Sequence, residues 1–130
     1  MLKYSGDEAL VNLIYNNITK NKCYLTNLAK ATQEDARRLS DNIYRKYLNL
    51  LAQELDIIRP KIIITFGNQV SSIFLNKKLK VADCRKCYFY KTINNITYKV
   101  YPVYYPIGNG LRNIDKVIED VNYILSEINK

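Results

Sequence analysis

The sequence predicts an α/β fold, a three-layer α/β/α sandwich around a small, mainly parallel sheet, and three observations carry that expectation. Ile62-Ile63-Ile64 is an unbroken β-branched run, opened by Pro60 and closed by Gly67, which reads as a strand buried on both faces. Helical and strand patterns alternate along the chain. The helical stretches are long enough to cross over a sheet, and right-handed crossovers then place helices on both sides. In such folds ligands gather at the carboxyl ends of the strands. Any site should therefore lie near Phe66, Gly67 and Asn68.

Each element has its own local reason. Ser5-Gly6-Asp7-Glu8 sets a capping hydroxyl three residues before a carboxylate, and Leu10, Leu13, Ile14 and Ile18 follow at helical spacing, predicting a helix over about residues 6 to 19. Lys22 to Leu28 reads as a strand that delivers Asn27 to its carboxyl end. A second capping pattern, Thr32 to Asp35, opens a long helix whose apolar stripe runs through Leu39, Ile43, Tyr47, Leu51 and Leu55 to Ile58. After the central strand, Val70, Ile73 and Phe74 predict a short helix with Asn68 as its cap. Lys77 to Lys91 carries six cations against one acid, Asp83, and reads as an irregular, exposed, basic surface. Two tyrosine-rich strand patterns, Cys87 to Ile93 and Ile96 to Tyr105, flank Asn94-Asn95, a hairpin signal because Asn tolerates positive φ. A turn-rich loop from Tyr105 to Gly110 leads to a last helix, in which Ile114, Val117, Val121, Ile124 and Ile128 form a broad apolar face. Asp115, Glu119 and Asp120 are expected on its outer face.

Composition bounds the class. At 130 residues the chain is read as one domain able to bury roughly two-thirds of its unfolded surface. A net charge of +8 favours an anionic partner, nucleic acid before membrane. No run of eighteen apolar residues is present, and Lys3, Asp7 and Glu8 break any signal-peptide pattern. With an odd count of three cysteines, a reducing, cytoplasmic setting is expected. Cys84-Arg85-Lys86-Cys87 has the spacing of half a metal site, but one further cysteine and no histidine cannot complete a standard set. Free thiols, no metal and no cofactor are the expectation.

Three segments together resemble the uracil-DNA glycosylase superfamily, especially its small bacterial and archaeal branches. Tyr24-Leu25-Thr26-Asn27-Leu28-Ala29-Lys30 is similar to its strand-end pattern vyiTNlvK. Ile58-Arg59-Pro60-Lys61-Ile62-Ile63-Ile64-Thr65-Phe66-Gly67 is similar to lirPkvIvalG. Tyr101 to Ile107 stands where the family has a strand running into His-Pro-Ser. Two departures stand out: the family's first strand and motif would precede residue 1, and the His-Pro-Ser place holds Tyr105-Pro106-Ile107.

The resemblance implies a DNA-binding protein that excises uracil or a damaged base by flipping the nucleotide, or else a catalytically inactive nucleic-acid- or protein-binding module on the same fold. Asn27 would read the uracil edge, since its carbonyl accepts from N3–H while its NH2 donates to a base carbonyl; otherwise it ends a strand and caps the next turn. Phe66 and Gly67 would line the base pocket. Asn68 would face a phosphate, and Pro106, Gly108, Gly110, Leu111 and Arg112 would form the loop that enters the minor groove. Tyr105 would offer a phenol in place of imidazole as the one catalytic candidate. Read without the resemblance, Gly67-Asn68 and Gly108-Asn109-Gly110 are ordinary turns. The basic run interleaved with Tyr88, Phe89 and Tyr90 would hold a phosphate backbone and stack a base, or would be a solvated edge that resists aggregation.

Overall fold

A computed structural model describes residues 41–105 and 113–128. The expected first helix, the strand carrying Asn27 and the loop from Pro106 to Arg112 lie outside the described residues. The elements are α1 (Asp41–Lys46), α2 (Leu48–Ile58), β1 (Ile62–Phe66), α3 (Asn68–Leu75), a 3-10 turn (Val81–Asp83), β2 (Phe89–Ile93), β3 (Ile96–Val103) and α4 (Ile114–Ile128). None of the helices is long and apolar enough to cross a membrane, among the described residues.

The expected long helix is divided at Tyr47. Its backbone sits at φ −95°, ψ 0°, in the sparsely allowed bridge region, and its carbonyl accepts the Leu51 N–H to open α2. Arg59 ends α2 in the left-handed conformation, with its N–H donating to the Leu55 carbonyl at 2.8 Å. Pro60 then forbids any continuation.

The sheet has the order β1-β3-β2. β1 pairs with β3 in parallel, Ile64 opposite Tyr101 and Phe66 opposite Val103. β2 pairs with β3 antiparallel through a two-residue turn, Ile93 opposite Ile96. Asn94 and Asn95 both have positive φ (50° and 70°), as a type I′ turn requires. Asn94 also donates from Nδ2 to Asp56 at 2.7 Å, tying the hairpin tip to α2.

Side-chain alternation sends the two faces of the sheet to different helices. Ile63, Tyr98 and Val100 pack with Leu55 of α2 and Phe74 and Leu75 of α3. On the other face Ile62, Ile64, Phe66, Tyr101 and Val103 pack with Ile124, and Phe66 also meets Val117 and Val121. Helices thus cover both faces and the architecture is the α/β sandwich expected, with a mixed sheet. Each fully buried aliphatic such as Val117 or Ile124 contributes about 1.5–3 kcal/mol.

The deepest strand differs from the one expected. Ile62, Ile63 and Ile64 are half-buried, whereas β3 buries Tyr98, Val100, Tyr101 and Val103. Among the described residues β3 is the strand with neighbours on both edges, so burial concentrates there. Pro102 is tolerated in this strand because β2 pairing ends at Phe89 opposite Val100. Its missing N–H faces the side that β2 has left.

Candidate functional site

The carboxyl ends of β1 and β3 meet at Gly67 and Tyr105. Gly67 N–H donates to the Val103 carbonyl at 2.8 Å, extending the parallel ladder by one residue. Its φ of 91° with ψ of 161° is a conformation in which side-chain-bearing residues are strained. A Cβ added there would lie 3.2 Å from the Tyr105 Cβ, and the Tyr105 ring is next nearest at 3.9 Å. The two strand tips are therefore in direct contact. Tyr105 still leaves about half its surface (52 %) to solvent.

Behind this contact, Thr65 and Ser71 are buried, their hydroxyls 2.7 Å apart, and the Ser71 N–H donates to the Gly67 carbonyl. This pair fixes α3 against the end of β1. Phe66 points to the opposite face and stacks on the apolar side of α4, so its ring forms a wall on the α4 side of the tip. Tyr104 packs there too, with the Lys116 ammonium 5.6 Å from its ring centroid.

Asn68 does not cap α3. Gly67 occupies the cap position and no side chain caps the helix. One residue too late for that task, Asn68 turns its Oδ1 to accept the Val81 N–H at 2.8 Å, pinning the 3-10 turn to the start of α3. Asn27, Pro106, Gly108, Gly110, Leu111 and Arg112 are outside the described residues. Of the described candidates, Gly67 and Tyr105 are in contact, whereas Phe66 packs against α4 and the Asn68 side chain is turned to Val81. A cavity of about 260 Å3 lies elsewhere, between α2 and the hairpin, lined in part by Leu48, Phe74, Lys91 and Ile93.

The basic segment is more ordered than expected. Val81 is wholly buried and Cys84 is buried, with the Cys84 thiol donating to the Lys80 carbonyl at 3.4 Å. Burial pushes that thiol up, and both Cys84 and Cys87 are free. Arg85 is not a solvated cation. Its Nε and Nη2 grip the two oxygens of Asp120 at 2.9 and 2.8 Å, and Nη2 also donates to Glu119 at 2.6 Å. Asp120 is 0 % exposed and not on the outer face of α4 as expected. A guanidinium fork satisfies both carboxylate oxygens at once, which allows the charge to be buried.

The aromatics of the hairpin divide by register. Phe89 turns into the core and is withdrawn from any stacking role, with Lys77 4.2 Å from its ring centroid. Tyr88 and Tyr90 remain exposed on the other face. There Tyr88 meets Lys99 and Tyr101, to which sequence reading gave no part in that surface. The signal was available: a turn at Asn94-Asn95 sets Tyr90 opposite Lys99, and Tyr88 opposite Tyr101 one step further.

A family model described as the uracil DNA glycosylase superfamily matches residues 3–119, which includes both strand tips and the first turns of α4. No curated protein matches the chain. With β1 and β3 parallel, helices on both faces and the match running across the described core, the chain belongs to the uracil DNA glycosylase superfamily.

Proposed function

We propose that this protein binds DNA and accepts a flipped uracil at the carboxyl ends of its parallel strands, cleaving the N-glycosidic bond. The observation that carries the reading is the Gly67–Tyr105 contact. It sets an exposed phenol beside the glycine that ends the family's central strand pattern, in a chain whose family match spans residues 3–119. Asn27 would hold the uracil edge. Phe66 and Gly67 would bound the pocket, and Asn68 with Pro106, Gly108, Gly110, Leu111 and Arg112 would hold the flanking strand. In the reaction the C1′–N1 bond breaks and its electron pair leaves with the base. A water oxygen then bonds to C1′, and the proton it loses ends on the departed uracil anion. Charge develops on the departing uracil oxygen, where the Tyr105 O–H would donate one neutral hydrogen bond.

A second reading is favoured by the absence of histidine from the sequence. The place of the family's histidine is taken by Tyr105, whose neutral phenol can donate one hydrogen bond but cannot supply a cationic one near pH 7. On that reading the chain is a binding module that retains the fold without excision. Single-turnover kinetics on a uracil-containing single strand separates the two. Excision that disappears in Asn27→Ala supports the enzyme. Salt-sensitive binding without excision supports the module, and failure of both binding and excision overturns the DNA reading altogether.

A further inference from the structure

On the α4 face of the hairpin, Tyr88 and Tyr90 are 43 % and 63 % exposed. Their ring centroids are 5.3 Å apart and nearly perpendicular. Beneath them Tyr101, almost wholly buried, lies 5.6 Å from Tyr88 and fixes that ring from the sheet side. Cations border the cluster: Lys99 Nζ is 4.5 Å from the Tyr88 ring centroid, and Lys86 Nζ is 5.7 Å from that of Tyr123 on α4. Lys86 is shared with Glu119, whereas Lys99 is set directly against the Tyr88 ring. β2 forms an edge of the sheet among the described residues, so the platform opens sideways, on the same strand β3 that ends at the Gly67–Tyr105 tip.

We infer that Tyr88, Tyr90 and Lys99 form a second nucleic-acid contact, a stacking platform for unpaired bases of a single strand whose phosphate is held by Lys99. The charge is complementary, in a chain of net charge +8. Exposed rings add affinity only for a ligand with free aromatic faces, and bases inside a duplex have none to offer. A single-stranded polyanion is the partner that uses both rings and lysine. An acidic peptide would use only the lysine.

The inference rests on the proposed function only in taking DNA as the ligand. The probe is a labelled oligothymidine of about 12 nucleotides, within the span of site sizes for such surfaces, titrated against the full chain by fluorescence anisotropy. It contains no uracil, so loss of excision and loss of platform binding are separate results. Tyr90→Ala should weaken binding about five- to a hundredfold, the range of one lost base stack, whereas Tyr90→Phe should bind as the parent does. Lys99→Gln should flatten the logarithmic salt dependence by about 0.7. Because the chain has no tryptophan, quenching of tyrosine emission on binding reads the stack directly and should shrink in Tyr90→Ala. Parent-like affinity in both Tyr90→Ala and Lys99→Gln, equal loss in the Phe and Ala variants, or no binding of the strand by the parent would each overturn it.

Discussion

Gly67 concentrates the constraint at the strand tips. A side chain there would be strained by the φ of 91° and would press on Tyr105 Cβ at 3.2 Å, while the Gly67 N–H holds its backbone to the Val103 carbonyl. Gly67→Ala should therefore cost about 1–3 kcal/mol in urea unfolding. It should also shift Tyr105, so any excision should fall by more than the stability loss explains. Asn95 is the converse case. Its φ of 70° is adopted at a cost that glycine avoids, and Asn95→Gly should raise stability by a few tenths of a kcal/mol. A fall in the unfolding midpoint would show that the Asn95 side chain has a contact worth more than the turn. Both positions were legible beforehand, because a glycine after a β-branched run and an Asn-Asn pair between strand patterns are signals local to a few residues.

At the scale of elements, α4 and the basic segment are held together by one group of charges, and this was not legible. Asp120 was expected on the outer face of α4, and nothing in the helical period announces a guanidinium arriving from residue 85. Strand alternation, by contrast, divides Tyr88 and Tyr90 from Phe89 locally, although composition treats the three alike. The succession of elements and the helix covering could be read because apolar periodicity declares them, whereas partners for buried charge depend on loops without a period. Arg85→Ala should leave the Asp120 carboxylate buried and uncompensated. The cost should be about 3 kcal/mol, at the low end for a broken buried pair because the Arg85 side chain is itself 27 % exposed. Arg85→Lys should not restore it, since an ammonium cannot grip both oxygens. The pH dependence follows from Glu119, whose carboxyl is held below its ordinary value of 4.5 by the Arg85 hydrogen bond and then by Lys86. A depressed folded value means that this contribution is fully present above pH 4.5 and is lost as pH falls through the lowered value. Urea midpoints measured downward from pH 5 should thus decline, and Glu119→Gln should remove its share of that slope. An unchanged slope in Glu119→Gln would assign the acid sensitivity to other carboxylates.

For the molecule as a whole, a net charge of +8 is not eight charges available to a ligand. Arg85 is committed to Asp120 and Glu119, and Lys86 shares Glu119 at 3.6 Å; these cations join the basic segment to α4. Lys99 stands over the Tyr88 ring on the face where the platform opens. Net charge governs distant attraction, but counterions are released only at cations that touch phosphate, about 0.7 of an ion per contact on a single strand. The salt dependence of oligothymidine binding should therefore distinguish cations that hold the fold from cations that hold the strand. Arg85→Ala, assayed well below its lowered melting temperature, should keep the parent slope of log affinity against log salt. Lys99→Gln should lose about 0.7 of it without a change in melting temperature. If the Arg85 variant loses slope and the Lys99 variant does not, the strand runs along the 3-10 turn and α4, and the ion pairs there open to admit it.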